Sequence, residues 1–222
     1  MKRTVVIGPL HQVTDIVFAV NGTLVQDIPI EEVFEGVARI TGVSFNRLLG
    51  DYGIRADSLS SLENQHRSLA RKEDRDAVGE LYDAHKRSKI TPTILPGAID
   101  ALKELRKLDK RLICWDRGDV EKRRAVLCST GLIDFFDVVE VVPNKSVERV
   151  KEILVPHMQG RPFAMVGDSY IYDMEPVEGL ASARIMVSHS KANRYQPPPK
   201  RLGDIVDVWR VEHLLTTEGV AS

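Results

Sequence analysis

Four short clusters in this chain carry residues that could do chemistry together. They are Asn21-Gly22-Thr23, Asp116-Arg117-Gly118-Asp119, Asn144-Lys145-Ser146, and Gly167-Asp168-Ser169 with Asp173. Two carboxylates at i and i+5, such as Asp168 and Asp173, can hold Mg2+ directly or through water. A lysine on a neighbouring loop, here Lys145, can neutralise phosphate charge or hold a carboxylate. Each cluster alone also has an ordinary reading. Asp168 could cap a helix, and Lys145 could be a solvated loop lysine. The chemistry depends on whether the fold gathers the clusters at one place.

The elements around them bring them together. Ile16-Val17-Phe18-Ala19-Val20 is a continuous apolar run between Asp15 and Asn21-Gly22-Thr23. It reads as a strand buried on both faces, followed by a turn. After Leu95-Pro96-Gly97, helices and strands alternate. Helices are predicted over 98–108, 120–129, 146–155 and 211–215. Strands are predicted over 112–115, 138–142, 163–166, 184–187 and 205–208. Asp119 is the expected N-cap of the second helix, and Gly131 its C-terminal stop. This alternation predicts an α/β fold with a doubly wound parallel sheet covered on both faces. In such sheets ligands bind at the carboxyl ends of the strands, where all four clusters fall.

Residues 29–93 read differently. They carry helix-period segments over 31–41, 44–52, 59–70 and 74–89, with nearly balanced charge and hardly a strand signal. The expected organisation is an α/β core from 1–28 and 94–222, with a small helical domain at 29–93 inserted after the first strand.

The bulk numbers exclude several classes. The chain has 222 residues, 43% hydrophobic and 28% charged, with a formal net charge of −1. That is ordinary globular usage, and the length allows a full core without staples. Near-neutral charge gives no argument for nucleic acid or an anionic membrane. Two cysteines, Cys114 and Cys128, make no disulfide framework and lack zinc spacing. The apolar stretch after Met1-Lys2-Arg3 is broken at Gly8-Pro9, too short for a signal peptide. No run approaches 18 apolar residues, so the expectation is a cytoplasmic protein without membrane spans, as a monomer or homodimer.

Taken together and in order, the motifs resemble the haloacid dehalogenase superfamily, mostly phosphatases, with a small helical cap. The resemblance spans nearly the whole chain. It rests on Phe18-Ala19-Val20-Asn21-Gly22-Thr23-Leu24-Val25, Leu95-Pro96-Gly97-Ala98, Thr130–Asp137 followed by Lys145, and Val166-Gly167-Asp168-Ser169 through Asp173. It implies a phosphate site built from Gly22, Thr23, Asp116, Arg117, Gly118 and Lys145. It also implies Mg2+ held by the Asn21 carbonyl, Asp168 and Asp173.

The first motif departs from the family pattern. The resemblance puts Ala19 at the position of the nucleophilic aspartate and Asn21 at that of the acid/base aspartate. Alanine offers no nucleophile, which removes the covalent aspartyl-phosphate route. Asparagine cannot move a proton at a useful pKa, and losing such a group costs roughly 10²–10⁴-fold in rate. The Thr or Ser of the second motif aligns with Asp116, or with Trp115 if the register slips by one. An aspartate facing a phosphate at 4 Å costs about 4 kcal/mol per charge pair at an effective dielectric of about 20. Lys145, Asp168 and Asp173 remain. With Asp gone from position 19, an Asp116–Lys145 ion pair is expected, and the Mg2+ site is weakened.

Two functions follow. The first is a catalytically inactive phosphatase homologue, acting as a binding or regulatory protein toward a small phosphorylated metabolite or a protein partner. The alternative is a Mg2+-dependent phosphatase of such a metabolite with an altered nucleophile. A third reading, an unrelated enzyme built on Asp116, Lys145 and the Cys114 thiol, competes with Cys114 as a buried hydrophobe. Residues 184–201 hold five cations, no acid and Gln196-Pro197-Pro198-Pro199, which reads as a solvated extended connection or a docking patch for an anionic partner. Residues 3–13 could add an edge strand or a partner contact.

Overall fold

The structure is a computed structural model and describes residues 2–6, 8–26, 30–45, 47–48, 59–87, 92–187, 205–208 and 210–219. It forms two compact units. One is built from the described parts of Met1–Gln26, Pro92–His189 and Lys200–Ser222, and the other from those of Asp27–Thr91 and Ser190–Pro199.

The first unit is organised by strand β2, Asp15–Phe18, whose four residues are all buried. β5 (Arg111–Arg117) and β7 (Phe163–Gly167) lie parallel on its two sides. β6 (Val138–Val142) extends the sheet beyond β5, and β8 (Ala183–Val187) then β9 (Ile205–Val208) extend it beyond β7. The six-stranded order is β6-β5-β2-β7-β8-β9, parallel throughout. Two short strands, β3 (Val25–Gln26) and β4 (Thr93–Ile94), pair antiparallel in a sheet of their own. The pleat sorts side chains into two layers. Ile16, Phe18, Leu112 and Cys114 join one apolar cluster, while Val17, Ile113, Trp115 and Met165 join the other.

Helices cover the sheet. α4 (Ala98–Lys107) buries Ala101, Leu102 and Leu105, and α5 (Val120–Ser129) buries Leu127. Asp119 caps α5 as expected, its side chain accepting from the Lys122 amide at 2.9 Å. The helix expected over 146–155 runs on through Val147–Arg149, a π-helical Val150–Leu154 and Val155–Met158. At the amino end of β2, buried Asp15 accepts from Arg111 and Arg161, both also bonded to the His157 carbonyl.

Three readings change. β2 ends at Phe18, because Ala19 and Val20 already lead into the turn. The helix expected over 211–215 is a 3-10 turn, Val211–Leu214, followed by strand β10, Leu215–Gly219. β10 pairs antiparallel with β1, Lys2–Val6, so residues 3–6 do form an edge strand, in a separate two-stranded sheet. Third, Arg184 belongs to no surface patch. It is 3% exposed in β8, donates to the Met174 carbonyl at 3.3 Å and lies 3.7 Å from Glu178. Lys191, Arg194, Lys200, Arg201 and the proline run lie outside the described residues.

The second unit is helical: α1 (Ile30–Thr41), α2 (Leu59–Leu69) and α3 (Arg75–Arg87). The helix expected over 44–52 lies largely outside the described residues. This unit has its own core of Val33, Phe34, Val37, Leu62, Val78 and Tyr82. Within it His66 is fully buried, with Nδ1 2.8 Å from the Tyr82 hydroxyl.

Candidate functional site

The turn after β2 sets the site. The Val20 carbonyl accepts from the amides of Thr23, Leu24 and Val25, which folds the chain back within five residues. Gly22 takes φ +78°, and a Cβ there would overlap the Asp168 carboxylate. Glycine is therefore required by both backbone and space. The turn brings the Thr23 hydroxyl to donate to Asp168 Oδ1 at 3.2 Å. Ala19, Val20 and Thr23 are all buried.

Asp116 reaches this turn from β5. It is 4% exposed, and its Oδ1 lies 3.4 Å from the Val20 amide, which donates to it. Asp116 thus faces the turn, whereas Trp115 points into the opposite apolar layer beside Ala19. The other oxygen, Oδ2, is buried without a hydrogen bond and lies 3.6 Å from Arg123 Nε. Burial pushes the Asp116 carboxyl above the ordinary carboxylate range, against the opposing pull of Lys145 and Arg123.

Lys145 makes a different ion pair from the expected one. Its Nζ sits 2.6 Å from Asp173 Oδ1, with both side chains 3% exposed or less. Asp173 Oδ2 accepts from the Asp168 and Ser169 amides at 3.1 and 3.0 Å. A Cβ on Gly167 would overlap the same carboxylate, so the glycine lets the loop close around it. Asp173 is thus a clamp for the loop after β7. Asp116 takes Arg123 instead, a residue the motif reading did not single out. The only hint in the sequence was its place one turn past the Asp119 cap.

Asp173 has both oxygens engaged by protein donors. Of the expected metal set that leaves the Asp168 carboxylate and the Asn21 carbonyl. Among the described residues no three His, Cys, Asp or Glu are arranged to hold a metal ion. Mg2+ demands a near-octahedral oxygen shell. With Asp173 committed to Lys145 and two amides, the expected three-ligand set is not assembled as such.

Cys114 is removed as a nucleophile. It is fully buried in β5, and burial with the neighbouring Asp116 charge pushes its thiol far above the reactive range. Arg117 and Gly118 lie at the rim, half-buried, with the Arg117 guanidinium 3.7 Å over the Tyr172 ring.

No family model matches this chain, and no curated protein matches it. Solved structures do. A haloacid dehalogenase-like hydrolase from Xanthomonas campestris is 17% identical, with TM-score 0.58, 90% of this chain and 92% of that one covered. A phosphatase of the same type from Thermococcus onnurineus is 20% identical, with TM-score 0.54 over 90% and 95%. The magnesium-bound hydrolase YfnB from Bacillus subtilis is 13% identical, with TM-score 0.60 over 91% and 97%. The chain has the haloacid dehalogenase-like fold. Identities this low carry the fold and leave activity open. Among the described residues no helix is long and apolar enough to cross a membrane.

Two predictions follow from the buried charges. Asp173→Asn leaves Lys145 buried without its counter-charge and should cost about 3–5 kcal/mol in urea unfolding, whereas Lys145→Met with Asp173→Asn, which keeps an acceptor for the two loop amides, should recover much of that. Asp116 has a raised pKa when folded, so the folded state binds its proton more tightly. Its contribution to stability therefore falls as pH rises from about 4 through that raised value, then stays level. Asp116→Asn should unfold at higher urea than the parent at pH 7, with the gap narrowing toward pH 4.

Proposed function

We propose that this chain uses the haloacid dehalogenase-like fold for binding or regulation and does not catalyse phosphoryl transfer. The observation that carries this reading is the position of Asp116. The amide of Val20 donates to its carboxylate, and Arg123 lies 3.6 Å from the other oxygen. An amide donor and a cation are what an oxyanion from solution would require. Here the chain supplies its own anion to them.

The surrounding chemistry supports the same reading. Ala19, beside the Val20 amide, has no group that could attack phosphorus. Asn21 cannot exchange a proton with a leaving group. Lys145, the buried cation of the site, is neutralised by Asp173 at 2.6 Å. A phosphate reaching this buried position would meet Asp116 as a like charge, with Arg123 and Lys145 already facing carboxylates.

The test is phosphate release from a panel of phosphomonoesters with Mg2+. The chain as it stands should be silent, and so should Ala19→Asp/Asn21→Asp, because Asp116 still fills the anion position. Adding Asp116→Ser to that pair should raise turnover at least about a hundredfold. Turnover by the unaltered chain would overturn the reading and favour a phosphatase with an altered nucleophile.

A further inference from the structure

Three cations lie at the carboxyl end of the β5–β2–β7 strands: Lys145, Arg123 and Arg117. The first two face carboxylates, Asp173 and Asp116. Arg117 has no carboxylate partner among the described residues. Its guanidinium lies 3.7 Å over the ring of Tyr172.

Both halves of this stack are held in place from within. Arg117 ends β5, paired with Val142, and its carbonyl accepts from Arg123 Nε at 3.1 Å. The next amide, that of Gly118, donates to the Val142 carbonyl at 2.9 Å. Tyr172 sits in the loop after β7, where Ser169 Oγ accepts from its amide at 3.4 Å. Its neighbour Asp173 is fixed by Lys145 and two amides. The stack is therefore formed before any ligand arrives, which reduces the ordering cost of binding.

A guanidinium stacked on an aromatic ring still presents its planar fork edge-on. That fork matches the two oxygens of a carboxylate or phosphate. Both residues are half-buried, so the charge is neither sealed off nor fully solvated. Val120, the first residue of α5, and Ile171, beside Tyr172, are exposed at 41% and 40%. An apolar body attached to the oxyanion would find contact there.

We propose that Arg117, stacked on Tyr172, anchors the oxyanion of a ligand carried on an apolar or aromatic body. The site lies on the rim, outside the buried position held by Asp116. This rests on the binding reading above and names the ligand chemistry that reading leaves open.

The probe is phenyl phosphate, titrated into the full chain by calorimetry, with benzoate and inorganic phosphate as further arms. Saturable binding of phenyl phosphate or benzoate is expected, weakened at least about tenfold by Arg117→Ala, as loss of a charge-assisted bond requires. Arg117→Lys should weaken it comparably, because an ammonium lacks the fork, and this milder change guards against a folding artefact. Tyr172→Phe should keep binding, and Tyr172→Ala should lose several-fold. Preference between the phosphate and carboxylate arms then identifies which oxyanion the site favours, and inorganic phosphate should bind more weakly than either for want of the apolar body. No saturation by any arm, or binding unchanged in both Arg117 variants, would overturn the proposal. Phenol release, followed in the same samples, would instead overturn the non-catalytic reading and leave the Arg117 comparison intact.

Discussion

A charge removed from water must be met inside, and the carboxyl end of this sheet holds several such charges within a few residues of each other. Lys145 and Asp173 are nearly fully buried and 2.6 Å apart. Removing either alone would leave the other uncompensated at a cost of several kcal/mol. The loop after β7 is shaped around that pair: two amides turn inward to Asp173, Gly167 makes room, and Tyr172 is fixed one residue away. The position of Arg117 follows, because its guanidinium rests on Tyr172. The loops after β5, β6 and β7 are thus tied together through one ion pair and one ring.

Asp116 is the second buried anion and has the less complete environment. One oxygen accepts from the Val20 amide, while the other lacks a hydrogen bond and leans toward Arg123. A fold selected only for stability would place a neutral side chain there, since burial penalises the charged form. The carboxylate makes sense as an internal anion at a position whose geometry suits one. Lys145 is met by Asp173 and not by Asp116.

Much of this was legible in the sequence, and the exceptions have physical causes. The parallel sheet was readable because β2, β5 and β7 are buried on both faces and so appear as unbroken apolar runs. Strands 138–142 and 205–208 and helix 120–129 were placed residue for residue. β10 was missed because Leu215–Gly219 pairs only with β1, more than 200 positions away, and long-range pairing leaves no local periodicity. The Asp116–Lys145 pair was misassigned because motif order reveals which residues share a cleft but not which oxygen each cation reaches. Arg123 and Tyr172 carried no motif signal, since their roles exist only once the loops are folded.

On the binding reading proposed above, no carboxylate of this chain accepts a phosphoryl group. The most direct test is the intact mass of the full chain after incubation with acetyl phosphate and Mg2+, with peptide mapping of any adduct. The mass should stay unmodified. A phosphoryl adduct mapped to Asp116, Asp168 or Asp173 would contradict it.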